Sequence, residues 1–181
     1  MAILDFLGWG KQDPQRDSSS AETETVRRIV EKLDHLEPDR ARFVAAFAFV
    51  LSRVAGADMR VSTDETRAME RIVGEYGGLS EDQAILVVQM AKNQNLLFGG
   101  TENYLVTREL NRIADREQKK AIIDCLFAVS AADDSISSVE GNVIREITDQ
   151  LKLEHKDYIE SRSKYRDYLA VLKKTDEPAD R

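Results

Sequence analysis

The sequence predicts an all-α protein, a compact bundle of about seven to eight helices built from two related halves. Three observations predict it. Ala57-Asp58-Met59-Arg60-Val61-Ser62-Thr63-Asp64-Glu65 is echoed by Ala132-Asp133-Asp134-Ser135-Ile136-Ser137-Ser138-Val139-Glu140, and the offsets from Asp58 to Asp133, Val61 to Ile136, Ser62 to Ser137 and Glu65 to Glu140 are all 75 residues. Around both copies the apolar residues recur with the 3.6-residue period of a helix, and no stretch alternates as a strand would. The chain is 42% hydrophobic and 33% charged, with only 9 Gly and 3 Pro in 181 residues, a balance that suits one soluble helical domain.

The N-terminal segment 1–9 carries Ile3, Leu4, Phe6, Leu7 and Trp9 on an apolar face suited to docking on a groove, a partner or a membrane surface. The same residues also read as a segment that folds back on its own domain, or as a frayed end. Residues 10–21 are polar, rich in turn formers and without periodicity, the pattern of a flexible linker. The helical domain is expected over 22–174, with its halves at about 39–93 and 115–172 and a polar tail at 175–181.

Within that domain a first helix spans about 22–36, with Val26, Ile29, Val30 and Leu33 on one stripe and Pro38 as its stop. Asp39 caps a core helix reaching about residue 56 through Phe43, Phe47, Val50, Leu51 and Val54. Ser62 and Glu65 form a Ser-x-x-Glu capping box for a helix with Met69, Ile72, Val73 and Tyr76 inward, closed by Gly77-Gly78. Ser80 and Gln83 form another box, opening a helix with Leu86, Val87, Met90 and Ala91. Residues 93–100 break it, and Thr101 caps the next helix with Val106, Leu110 and Ile113 inward.

Asp115 and Gln118 start the second copy. Its Ala121, Ile122, Cys125, Leu126 and Val129 stand where the first has Ala46, Phe47, Val50, Leu51 and Val54, and Ile144, Ile147 and Leu151 match Met69, Ile72 and Tyr76. A last helix over about 154–173 turns Tyr158, Ile159, Tyr165, Leu169 and Leu172 inward.

The two acidic loops are the candidate functional site. Glu65 and Glu140 are explained by capping alone, because each is the fourth residue of a capping box at a helix N-terminus. Asp58 and Asp133 lie near helix C-termini, where negative charge is disfavoured unless an Asx-type turn or a cation offsets it. Asp64 and Asp134 add to the carboxylates in each connection. The spacing Asp-x-x-(Val/Ile)-Ser-x-x-Glu copies the last eight positions of an EF-hand loop. The earlier ligands of such a loop are missing, since Val54 and Gly56 or Val129 and Ala131 stand in their places, and its turn glycine is replaced by Met59 or Asp134. A single loop is thus a poor calcium site, whereas two loops meeting face to face could share a hard cation, Ca²⁺ or Mg²⁺. The candidate ligands are Asp58, Asp64, Glu65, Asp133, Asp134 and Glu140; the competing reading is that these residues are structural caps.

Other function classes find little support. The net charge of −7 argues against a nucleic-acid partner. Cys125 falls on a buried stripe and cannot form an internal disulfide, so nothing requires an oxidising compartment. His35 and His155 lack the spacing of zinc ligands, and Gly77-Gly78 and Gly99-Gly100 lack the context of a phosphate loop. Arg53, Arg60, Arg67 and Arg71 line a face that reads as salt-bridged surface or as a site for an acidic partner. The N-terminus lacks the features of a secretion signal, and no run has the length of a membrane span, which predicts a cytoplasmic protein with membrane association only through residues 1–9.

The duplicated pattern, Ala55-Gly56-Ala57-Asp58 to Glu65 and Ala131-Ala132-Asp133 to Glu140, resembles the TerB-like family, which includes the tellurite-resistance protein TerB and the N-terminal domain of DjlA-type membrane co-chaperones. The resemblance covers about residues 39–172. It implies an all-α fold of two halves and an accessory or interaction role in bacterial stress and metal-resistance systems, often near a membrane. It also implies metal binding by Asp58 and Glu65 and by Asp133 and Glu140. No J-domain motif follows. The leading expectation is therefore a non-enzymatic module that binds a protein partner, with a divalent cation tuning its acidic surface. The alternatives are a hydrolase whose carboxylate-bound metal activates water, and a peripheral membrane adaptor docking through residues 1–9.

Overall fold

In the computed structural model of the chain, the structure is described for residues 20–55, 63–93 and 103–173. These residues form α1 (Ser20–Asp34), α2 (Pro38–Ala55), α3 (Thr63–Gly77), α4 (Glu81–Lys92), α5 (Asn103–Ile113), α6 (Arg116–Ser130), α7 (Ser138–Gln150), α8 (His155–Lys164) and the single-turn α9 (Ala170–Lys173). Short 3₁₀ turns follow α6 and α8, at Ala131–Asp133 and Arg166–Tyr168. No strand occurs among the described residues; one isolated parallel bridge joins Ile136 to Leu169.

α2 is the axis of the bundle. Its Ala41, Val44, Ala45, Ala46, Phe47, Ala48, Val50 and Leu51 are all buried, and α1, α4, α5, α6 and α7 pack around it. A helix apolar on every side is stable only when encircled. Its alanines let neighbouring helices approach closely, and its large side chains contribute about 1.5–3 kcal/mol each by leaving water. Phe43 and Phe47 meet edge to face at 6.2 Å. The end of α3 closes over this pair so tightly that a Cβ on Gly77 would sit 2.6 Å from the Phe47 ring. Gly78 then takes φ +62, the left-handed conformation that ends a helix.

The two related halves interlock. α3, from the first half, packs on α6 of the second, and α2 packs on both α6 and α7. Arg53, near the end of α2, donates to Gln150 at 2.8 Å and to Glu146 at 2.9 Å, both on α7. Neither half therefore buries its apolar stripes without the other.

Three local expectations are corrected. The last helix is two helices: α8 ends at Lys164, and the chain turns through Arg166–Tyr168 so that Leu169 can pair with Ile136. As a result Ile159 and Leu172 face outward, at 45% and 39% exposure, while Leu169 is buried. Tyr76 is also turned partly outward, at 41% exposure, while Val73 is the fully buried residue among the described side chains of α3. The Ser80 box is half made: the Ser80 hydroxyl accepts from the Gln83 N–H, but the Gln83 carboxamide oxygen accepts from Arg40 on α2.

Candidate functional site

The second acidic loop is built from the end of α6 to the start of α7. The Ala131–Asp133 turn ends at Asp134, whose N–H donates to the Ala131 carbonyl at 3.0 Å and whose φ is +58. That is the left-handed region in which glycine is usual, and Asp is among the few side chains that tolerate it. Ile136 follows, 2% exposed, and fixes the loop to the domain from two sides. Its side chain enters the core, while its N–H donates to the Tyr168 carbonyl at 2.7 Å and its carbonyl accepts from Ala170 at 3.0 Å. Ser137 then caps α7. The Glu140 Oε2 accepts from the Ser137 N–H at 2.9 Å and from its hydroxyl at 2.6 Å, and the Ser137 oxygen accepts from the Glu140 N–H at 3.2 Å. Glu140 is thus engaged as the reciprocal member of a capping box.

Of the residues expected to hold a cation, Asp134 is exposed and Glu140 half-buried. Asp58 lies outside the described residues, and so do the side chains of Asp64, Glu65 and Asp133. Among the described residues no group of three or more His, Cys, Asp or Glu converges in a metal-holding arrangement. Ile3, Leu4, Phe6, Leu7 and Trp9 also lie outside the described residues. No helix among the described residues is long and apolar enough to cross a membrane.

Beside the loop, sequence reasoning missed an apolar groove. The turn after α8 opens a hollow of about 280 Å³ walled by Ile159, Arg162, Ser163, Arg166, Leu169 and Leu172. Arg162 and Leu169 also border a second hollow of about 210 Å³ that reaches Ser137 and Ser138 in the loop, with Val171 on its rim. Each is smaller than the roughly 300–1,000 Å³ of a small-molecule site, so each suits the side chains of a docking segment better than a whole cofactor. Val171 is 54% exposed, and with Ile159 and Leu172 it gives the two hollows an exposed apolar border. Among the described residues neither Arg162 nor Arg166 has an ion pair or side-chain hydrogen bond. The signal available in the sequence was Arg162 and Arg166 at helical spacing beside Ile159. Periodicity alone does not reveal the groove, because the apolar stripe runs across a turn that breaks the helix.

The groove stands on a rigid base. Asp157 on α8 is buried and accepts from Arg116 Nη2 at 2.8 and 2.9 Å and from the Glu154 N–H at 3.0 Å. Burial pushes the Asp157 carboxyl up, but the Arg116 hydrogen bond, the Glu154 N–H and the nearby positive charge outweigh it and hold the group below its usual value. Phe127 stacks on Tyr165 at 6.0 Å and tilts against Tyr158 at 5.7 Å, tying α6 to α8 and to the start of the turn. Burial raises the Tyr165 phenol, with Tyr76, Asp124 and Cys125 adding to the effect. Burial likewise raises the Cys125 thiol, the opposite of a reactive cysteine.

Helices α2 to α8, carrying both copies of the acidic motif, coincide with a family match. Residues 44–163 match the model of the family described as tellurite resistance protein TerB. The chain belongs to the TerB family. In this TerB-family chain the match begins inside α2 and ends inside α8, so α1 and the outer wall of the groove, Arg166, Leu169 and Leu172, lie beyond the matched residues. Comparison with curated proteins and with solved structures finds no match.

Proposed function

We propose that this TerB-family chain is a non-enzymatic accessory module that binds a protein partner in a bacterial stress or metal-resistance system. The observation that carries the reading is the exposed apolar border of Ile159, Val171 and Leu172 beside Arg162 and Arg166, on a base of the Arg116–Asp157 ion pair and stacked rings. Apolar side chains grouped at the surface with adjacent cations are the footing of a protein interface, where aliphatic anchors supply burial and arginine supplies directed hydrogen bonds. Immobilised wild-type chain and its Ile159→Asp variant, exposed to the same native lysate, test it. A protein retained by the wild type and lost by the variant is the expected result; the same retained set for both overturns it.

A divalent cation at the duplicated loops is a second part of this proposal, favoured by the left-handed Asp134 backbone, which takes the conformation a loop glycine would take. Calorimetric titration with Ca²⁺, Mg²⁺ and Zn²⁺ tests it against an Asp58→Ala/Asp133→Ala double variant. Binding heat in the wild type alone supports the cation; no heat in either, or equal heat in both, removes it.

A further inference from the structure

We infer that the groove between α8 and α9 takes the chain's own apolar N-terminal segment, residues 3–9, which covers it in the absence of a partner. The inference rests on reading the groove as a docking surface. The segment and the outer wall of the groove, Arg166, Leu169 and Leu172, lie outside residues 44–163, the part that matches the TerB family, and each feature has what the other lacks. The groove offers an aliphatic floor of Ile159, Leu169 and Leu172 with two guanidinium groups on its rim, Arg162 and Arg166, that have no ion-pair partner among the described residues. The segment offers Ile3, Leu4, Phe6, Leu7 and Trp9 around a single carboxylate, Asp5. Ile3 and Leu7 stand four residues apart, and Phe6 and Trp9 three apart, the spacing at which one helical face presents consecutive anchors to a groove.

A tether joins the segment to the domain. Ten residues, 10–19, separate the segment from Ser20 at the start of α1, and an extended chain of that length spans up to about 35 Å. A domain of this size has a radius of gyration of about 15 Å, so the extended tether spans about twice that length. Tethering also raises the local concentration of the segment to the millimolar range, on the order reached with short flexible linkers, which makes a shallow groove with a few anchors sufficient. A partner would then have to displace the segment to reach the same surface.

Trp9 is the only tryptophan in the chain and reports on its own environment. The experiment uses the full chain, with the free peptide of residues 1–10 as the solvent-exposed reference. Trp9 emission in the wild type is expected to be blue-shifted and protected from acrylamide. In Ile159→Asp and Leu172→Asp it should move to the position and quenching constant of the free peptide. Both substitutions are at exposed side chains, and circular dichroism with a thermal melt confirms that the fold is retained. Asp5→Arg should release Trp9 in part, and combining it with Arg162→Asp should restore protection.

Emission matching the free peptide in the wild type, or protection unchanged by the groove variants, overturns the inference. A blue shift that depends on protein concentration, or that arises only with anionic phospholipid vesicles, assigns the segment to a second copy or to a membrane and overturns it equally. If the groove variants lose a captured partner while Trp9 is unaffected, the docking surface stands without its internal occupant. If Trp9 is released while capture is unchanged, the occupant stands and the partner reading falls.

Discussion

α2 and α6 are the same helix written twice, 75 residues apart, and their differences follow the elements that surround them. Along the shared inner stripe Phe47, Val50, Leu51 and Val54 have their counterparts in Ile122, Cys125, Leu126 and Val129, all buried. Elsewhere the pairs diverge. Ala41 and Ala45 are buried in α2, while their counterparts Arg116 and Lys120 reach across to Asp157 and Glu160 on α8. Ser52, bonded to its own helix at Phe49, is replaced by Phe127, which carries the stack with Tyr165. Encirclement by five helices demands apolar residues on every face of α2, whereas α6 has one face covered only by α8, where long cations and a ring pin the partner. Duplication preserves the stripe that both copies bury, and the local neighbours determine the rest.

The sharpest way to break this comparison is at the central ring. Phe47→Ala is expected to lose about 3–5 kcal/mol, and its counterpart Ile122→Ala somewhat less within the range of about 2–5 kcal/mol, both read by urea unfolding. A larger loss at Ile122 would show that α6, not α2, is the axis. Next, Gly77→Ala forces a methyl against the Phe47 ring and should cost about 1–3 kcal/mol. Gly141→Ala on α7 meets nothing within 4 Å and should gain up to about 1 kcal/mol from helix propensity.

The α6–α8 ion pair gives the comparison a pH-dependent test. The folded-state value of Asp157 lies below its unfolded value, so its contribution is present above the unfolded carboxylate value, about 3.9, and is lost as pH falls through the folded one. Asp157→Asn should therefore be less stable than the wild type by about 1–2 kcal/mol at pH 7, with the gap closing in acid. A gap independent of pH would mean that shape, not charge, holds α8.

Much of the fold was legible because it is written in local periodicity. The stripes of α2, α4 and α6, the Asp115 and Ser137 boxes and the glycine stop after α3 all appear as the spacing requires. What was not legible depends on partners distant in sequence. Nothing near Tyr165 announces that the chain must turn so that Leu169 can reach Ile136, and the outward rotation of Ile159 and Leu172 follows from that turn. Gln83 obeys the capping pattern, yet its oxygen goes to Arg40, 43 residues earlier. The candidate site was half legible. Capping by Glu140 follows from Ser-x-x-Glu, whereas the left-handed Asp134 could be suspected only as a place where glycine is replaced.

The pairing of Ile136 with residues 168 and 170 also orders events during synthesis. Backbone groups that hold the second loop in place emerge from the ribosome more than thirty residues after the loop itself, and α3 must likewise wait for α6, on which it packs. A nascent chain of this protein therefore carries its acidic turn unanchored until translation has passed Ala170, a window in which chaperones, proteases or a cognate binder would meet a form different from the finished molecule.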